Sequence, residues 1–316
     1  MFSKDCSFTD PQQHASSILG WNQIYDQLSR GGLKSELQQV SADRFQIFRE
    51  VLDKSVVQHG SAPKGRLCIA MSLGAGRAPV VQGREVGAHS VVLLRDGEEF
   101  LLHAPAGTCL FAANVDTVRF AKLAALELST EQLSLLQTMP QVGISDRILQ
   151  RFQQRIHPVF KCLLDRSGDD INVASEKMLE DTLLDAFLDL FSNAKEEERR
   201  GRQGNIAVSS YLVKRSQELA LSSSETPLTI LDLCEQLRVS RRTLQKSFQV
   251  IAGIRPVEYL RSVRLNAVRR RLNSTLASQY NVGEIAAEMG FYHLSHFAGS
   301  YRELFGEYPS QTQRAH

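Results

Sequence analysis

The chain has 316 residues, 42% of them hydrophobic and 23% charged, with a formal net charge of +2. That length is more than one hydrophobic core ordinarily organises, so two domains are expected, and no apolar run approaches the ~20 residues of a membrane-spanning helix. The charge is divided unevenly: residues 1–200 carry 22 Lys/Arg against 26 Asp/Glu and residues 201–316 carry 15 against 9, which directs a search for a polyanionic partner to the C-terminal end.

In chain order, the first 20 residues are polar, with a short helix expected around His14–Leu19. They lack a basic segment followed by an apolar one, so no secretory signal is read and a cytoplasmic location is expected. Trp21 to Tyr25 leads to the turn signal Gly31-Gly32. From 33 to 120 the pattern is β: Phe45–Leu52, Arg66–Leu73, Ser90–Leu94, Phe100–Gly107 and Thr117–Phe120, with Asp96-Gly97 as a hairpin turn. Short strands at such spacing predict a small antiparallel barrel or sandwich.

Between 129 and 194 the period becomes helical. Ser129–Gln132 reads as a helix start, and Ile148, Phe152, Ile156 and Phe160 recur every fourth residue. Ser167-Gly168-Asp169-Asp170 breaks this helix; Ser175 caps the next, with Leu179, Leu183, Phe187 and Leu190 as its stripe. Two antiparallel helices, 145–165 and 175–194, follow. Their apolar faces suit either a cover for the β domain or a dimer interface, and the two uses are compatible. Ala194–Gly204 is charged and glycine-containing, the composition of an interdomain linker.

The C-terminal part contains one pattern twice. After a helix from Ile206 to Leu221 and a break at Ser222–Pro227, Leu231–Phe248 gives a short helix, a turn and a second helix; Val282–Tyr301 repeats it. Cys234 to Ala286 is 52 residues, whereas Leu244 to Phe297 and Phe248 to Tyr301 are 53, so the second turn is one residue longer. This is the order of a helix-turn-helix, whose second helix can enter the DNA major groove. Thr229 and Ser240 are the expected caps in the first copy, and Gly290 takes the turn of the second. The exposed face of the first recognition helix carries Arg242, Gln245 and Lys246, suited to the groove, with Arg241 better placed for phosphate. A helix from Pro256 to about Asn273 joins the copies and bears Arg261, Arg264, Arg269, Arg270 and Arg271, read either as a solvated face or as phosphate contacts.

With Val239–Phe248, this Arg-rich helix, and Ile285-Ala286, Gly290-Phe291, His296-Phe297, Tyr301-Arg302, Phe305-Gly306 and Pro309-Ser310 in hand, residues 206–314 resemble the DNA-binding domain of the AraC/XylS family of bacterial transcription regulators. The resemblance implies that the two recognition helices enter successive major-groove segments of double-stranded promoter DNA. By position it assigns Arg242, Gln245 and Lys246 to the first reader and His293, Leu294, Ser295, Ala298 and Gly299 to the second. Arg241, Arg261 and Arg264 are further expected DNA contacts, read from their charge and placement. Two departures stand out: Gly299 sits where many relatives have Arg, and Arg238 replaces the glycine common at the first turn. The N-terminal half resembles the family's sensor and dimerisation domain only loosely, through a cupin-like barrel, and no ligand residues carry over. The expected whole is an α+β chain: a sensor and dimerisation domain at 1–194 (β-rich 33–120, helical 129–194), a linker at 195–205 and a DNA-binding domain at 206–316. Its expected partners are promoter DNA, a second copy through helices 145–194, RNA polymerase in an activating role, and optionally a small-molecule effector.

Other chemistry is poorly supported. His59, His89, His103, Cys68 and Cys109 fall in the β region without the His-x-His…Glu spacing of a metal-binding cupin, and the five cysteines are scattered with no Cys-x-x-Cys. Gly74-Ala75-Gly76-Arg77 lacks the strand-then-helix setting of a phosphate loop. No metal, cofactor or catalytic set is expected. Two alternatives stay open: a ligand- or metal-binding barrel with a helical protein-interaction tail, and a DNA-binding regulator without an effector.

Overall fold

The computed structural model describes residues 1–74, 76–165, 173–196, 203–222 and 227–315. The predicted break at Ser167–Asp170, residues 197–202 of the predicted linker, Ala75, and 223–226 before Pro227 lie outside the described residues.

The elements run β1 (Phe2–Phe8), α1 (Pro11–Ser17), β2 (Asn22–Gln27), β3 (Ser35–Ser41), β4 (Phe45–Leu52), β5 (Val56–Ser61), β6 (Arg66–Ser72), β7 (Val80–Val81), β8 (Arg84–Glu85), β9 (Ser90–Arg95), β10 (Glu99–Ala104) and β11 (Thr108–Asp116). Then come α2 (Thr117–Glu127), α3 (Thr130–Thr138), β12 (Gln141–Gly143), α4 (Asp146–Asp165) and α5 (Val173–Phe191). The C-terminal half is helical: α6 (Gln203–Ser222), α7 (Ile230–Gln236), α8 (Arg241–Ala252), α9 (Pro256–Ser274), α10 (Val282–Glu288) and α11 (Leu294–Phe305), closed by a 3-10 turn at Pro309–Gln311. None of the described helices is long and apolar enough to cross a membrane.

The strands form two antiparallel sheets, one ordered β1-β3-β4-β11-β6-β9-β12 and the other β2-β5-β10-β7-β8. Side-chain alternation makes a layered body from them. On β4, Phe48 and Leu52 face the second sheet and pack with Tyr25, Val56 and Ala104. Phe45 and Ile47, the intervening positions, face the other way and pack under α2–α5 with Ile69, Phe111, Phe152 and Phe187. The apolar stripes of α4 and α5 thus cover the larger sheet: Phe111 meets Phe152 and Phe160 edge-on, each at 6.2 Å between ring centres. On the outside of this pair, Arg151 and Arg155 bridge to Asp189 and Asp185 at 3.1 and 3.3 Å.

Two expectations fail at the ends of the β region. Thr117–Phe120 is the first turn of α2, because Asp116 accepts the Arg119 amide at 2.8 Å and caps a helix there. Phe120 and Ala124, four apart, are its buried face. Conversely, the polar N-terminus forms β1 and β2. β1 is an edge strand, half exposed, and β2 (Asn22–Gln27) buries Gln23, Asp26 and Gln27, so neither shows apolar alternation.

The C-terminal half has two cores joined by α9. Tyr259, Leu260 and Val263 belong to the first, with Leu233, Leu244 and Phe248. Leu265, Val268 and Leu272 belong to the second, with Ile285, Phe297 and Tyr301. Val57 and Leu101 of the smaller sheet, with Leu28 just past β2, are part of the first core. The two halves of the chain therefore share apolar packing.

Candidate nucleic-acid interface

The first unit is built by its caps. Thr229 Oγ1 accepts the Asp232 amide at 3.2 Å and Asp232 Oδ2 accepts the Thr229 amide at 2.8 Å, fixing the start of α7. The turn bends through Arg238, whose φ of +54° is left-handed. Ser240 Oγ then accepts the Thr243 amide at 3.1 Å and starts α8. Leu244, Ser247, Phe248 and Ile251 point inward. Arg241, Arg242, Gln245 and Lys246 are all exposed, and Arg242, Gln245 and Lys246, spaced three and four apart, share one stripe.

The second unit repeats the construction with different surface chemistry. Asn281 and Glu284 form the reciprocal cap of α10 at 2.9 and 2.8 Å. Gly290 turns at φ +78°, where a β-carbon would stand 2.6 Å from Pro227 Cγ. His293 precedes α11 without a side-chain cap bond. His293, Leu294, Ser295 and Gly299 are exposed and Ala298 is half-buried, while Phe297 and Tyr301 anchor the helix. This face offers two imidazoles, His293 and His296, and one hydroxyl, Ser295, but no lysine or arginine near its N-terminus.

The arginines of α9 divide sharply. Arg261 is exposed and has no carboxylate partner among the described residues. Arg264 lies 5.2 Å from the Phe291 ring centre; burial and neighbouring Arg261 lower its pKa. Arg269 is buried, with Nε 2.6 Å from Asp10 and Nη1 2.8 Å from Glu307. Arg270 Nη1 is 2.5 Å from Asp26. Burial pushes the Asp26 carboxyl up, but Arg270 and then His59 outweigh it and hold it below its usual range. Arg271 lies 3.7 Å from Glu288. Two of the five arginines read from the sequence as either a solvated face or phosphate contacts, Arg269 and Arg270, are thus internal, because Asp10 and Asp26 from the far end of the chain fold onto them.

The β-region histidines and cysteines stay apart. His59 faces Asp26 at 3.6 Å, His89 meets Asp146 at the surface at 3.1 Å, and His103 bonds Ser55 at 2.8 Å. Cys68 is buried between the sheets, its thiol pushed up to about 12 by burial, and Cys109 is half-buried on β11. Among the described residues no group of three or more His, Cys, Asp or Glu is placed to hold a metal ion. A polar cluster between the sheets escaped the sequence reading. Glu50 accepts Tyr25 Oη at 2.8 Å and Gln58 Nε2 at 2.9 Å, with His14 Nε2 at 3.3 Å. Its members come from four elements, so no local motif announces it.

Two helix-turn-helix units on one shared helix, with both second helices exposed, make a bipartite helix-turn-helix domain. Residues 233–315 match a family model described as a helix-turn-helix domain. Over 82 residues the chain is 42% identical to the XylDLEGF operon transcriptional activator of Pseudomonas putida, the match covering 26% of each chain. It is 32% identical over 103 residues to the probable thc operon regulatory protein of Rhodococcus erythropolis, covering 33% of this chain and 31% of that one. The solved structure of the AraC-like transcriptional activator CuxR aligns with 84% of this chain and 94% of its own at a TM-score of 0.44 and 15% identity, too distant to define the N-terminal half. Residues 233–315 are thus a helix-turn-helix domain similar to the matching part of these transcription regulators. The match spans about a quarter of the length of the Pseudomonas putida relative.

Proposed function

We propose that the chain is a transcription regulator that binds double-stranded promoter DNA sequence-specifically through both helix-turn-helix units. The observation that carries this is the exposed Arg242, Gln245 and Lys246 stripe on a helix whose other side is fully packed. Arg242 and Gln245 have the geometry to pair bidentately with guanine and adenine edges, Lys246 enters the groove beside them, and Arg241 meets phosphate. Arg261 and Arg264 add phosphate contacts along α9. In the second reader His293 and Ser295 supply the polar contacts, and Leu294 and Ala298 touch thymine methyl groups.

In this reading residues 1–194 form the sensing and dimerisation domain, 195–205 the linker and 206–316 the reader. Pairing of two copies through helices 145–194, contact with RNA polymerase in an activating role and a cytoplasmic location belong to the same proposal. Gating by a small-molecule effector is part of the same proposal. A mobility-shift experiment on promoter fragments tests the central point: the double substitution Arg242→Ala, Gln245→Ala should abolish specific retardation. Unchanged retardation would count against it.

A further inference from the structure

The N-terminal half grips both reader units. β2 runs beside α9, where Asn266, 2% exposed, accepts the Gln27 amide at Oδ1 (3.0 Å) and donates Nδ2 to the Gln27 carbonyl (2.9 Å). That is the pair of bonds a neighbouring strand would make. One helical turn on, Arg270 pairs with Asp26, whose second oxygen accepts Gln217 Nε2 of α6 at 3.0 Å. Arg269 reaches Asp10.

Beyond α9 the grip extends to each unit separately. Gln27 Nε2 donates to the Leu304 carbonyl at 2.7 Å and the Gly31 amide to the Glu303 carbonyl at 3.0 Å, both at the end of the second recognition helix. On the other side, the Gln82-Gly83 turn seats against the first unit: a β-carbon at Gly83 would stand 2.6 Å from Ile206 Cγ2 and 2.9 Å from Ile251 Cδ1. None of these contacts uses a groove-facing residue, so the grip leaves both recognition faces open.

Because α9 belongs to the cores of both units, they shift relative to each other only by bending or twisting of that helix or by repacking against it. Anchoring each unit to one sheet removes that freedom. Buried, hydrogen-bonded ion pairs suit the purpose, because displacing one partner strands the other charge. On DNA, one added base pair moves a half-site by about 3.4 Å and turns it by roughly a tenth of a revolution. A rigid pair of readers cannot follow that change.

We infer that Asp10, Asp26 and Gln27 of the N-terminal half are positioning residues for DNA reading: they fix the separation and angle of the two recognition helices and restrict the chain to sites of one spacing. The inference rests on the DNA-binding reading above.

The test uses the full chain. Its preferred duplex is selected from a random library, and affinities are then measured for that duplex and for versions with one or two base pairs inserted or deleted between the two contacted segments. Wild type should lose on the order of 10- to 100-fold per altered base pair, the scale of a defective specific contact. Asp26→Asn/Arg270→Gln, which removes both charges, and Asn266→Leu, which removes the strand-like bonds, should each cut that penalty to a few-fold at wild-type helix content by circular dichroism. A wild-type penalty below about threefold, an unchanged penalty in a folded variant, or tighter binding of variants at every spacing would each overturn the inference, the last by making the grip inhibitory. A chain that selects no sequence would sink the DNA-binding reading, and this inference with it; one that selects a sequence yet tolerates every spacing sinks the inference alone.

Discussion

Leu294 packs over Gly283: a β-carbon on that glycine would stand 3.3 Å from Leu294 Cδ1. The corresponding positions of the first unit are both large, with Leu231 on α7 and Arg241 on α8. In the second unit the apolar residue sits on the recognition helix and closes its own turn. It remains 51% exposed, but part of its surface is committed to the protein. The two readers share a backbone plan and present different chemistry.

Arg242→Ala should therefore weaken binding of the preferred duplex by about 1–3 kcal/mol and relax the preference at one base position. Leu294→Ala should cost less than ~1 kcal/mol and leave base preference unchanged, since it forfeits at most a methyl contact. Competition with single-base-substituted duplexes measures both. Equal losses and equal relaxation would contradict unequal readers.

Salt dependence separates the α9 arginines. Arg261→Ala should make the slope of log affinity against log salt shallower by about 1, one phosphate contact fewer. Arg269→Ala should leave the slope as it is and destabilise the fold by ~3–5 kcal/mol, because Asp10 is left buried without its partner. A shallower slope for Arg269→Ala would place that side chain on DNA.

The two turns respond oppositely to exchange. Arg238 holds a left-handed φ that costs an L-residue about 1–2 kcal/mol, so Arg238→Gly should stabilise, by up to ~1 kcal/mol after the greater unfolded-state freedom of glycine is counted. Gly290→Ala should lose more than ~1 kcal/mol, since its β-carbon meets Pro227 Cγ at 2.6 Å and Arg264 Nη1 at 3.2 Å. Denaturation midpoints decide; a destabilised Arg238→Gly would mean that the arginine side chain contributes more than its backbone strain costs.

His103 sets an acid limit. Burial, with nearby Arg77, lowers its pKa from the usual 6.5 to about 4. Unfolding exposes an imidazole that protonates near 6.5, so between about pH 6.5 and 4 the unfolded chain binds the extra proton and stability falls as pH falls. The shift corresponds to a loss of about 3 kcal/mol by pH 4, with no effect above pH 7. Urea denaturation across pH 4–7 should show this slope, and His103→Gln should flatten it. A slope unchanged in His103→Gln would assign the acid sensitivity elsewhere.

The duplicated readers were legible in the sequence because their signals are local. Ser240 caps within three residues, Gly290 turns on its own backbone, and the helical spacing of Leu244 and Phe248 needs no distant partner. The same holds for the stripe from Ile148 to Phe160. Asp96-Gly97 does turn, with Gly97 at φ +71°, but it carries the chain from β9 of one sheet to β10 of the other, so the expected hairpin is a crossover. Only the tertiary structure decided what Arg269, Arg270 and Asn266 do. Their side chains meet Asp10, Asp26 and Gln27, more than 200 residues away in the chain, and a charge on a helix reads the same in sequence whether it faces solvent or a buried carboxylate. β2 was hidden for the matching reason: its Gln23, Asp26 and Gln27 are buried polar residues satisfied by distant partners, so the strand lacks the apolar contrast by which alternation is recognised.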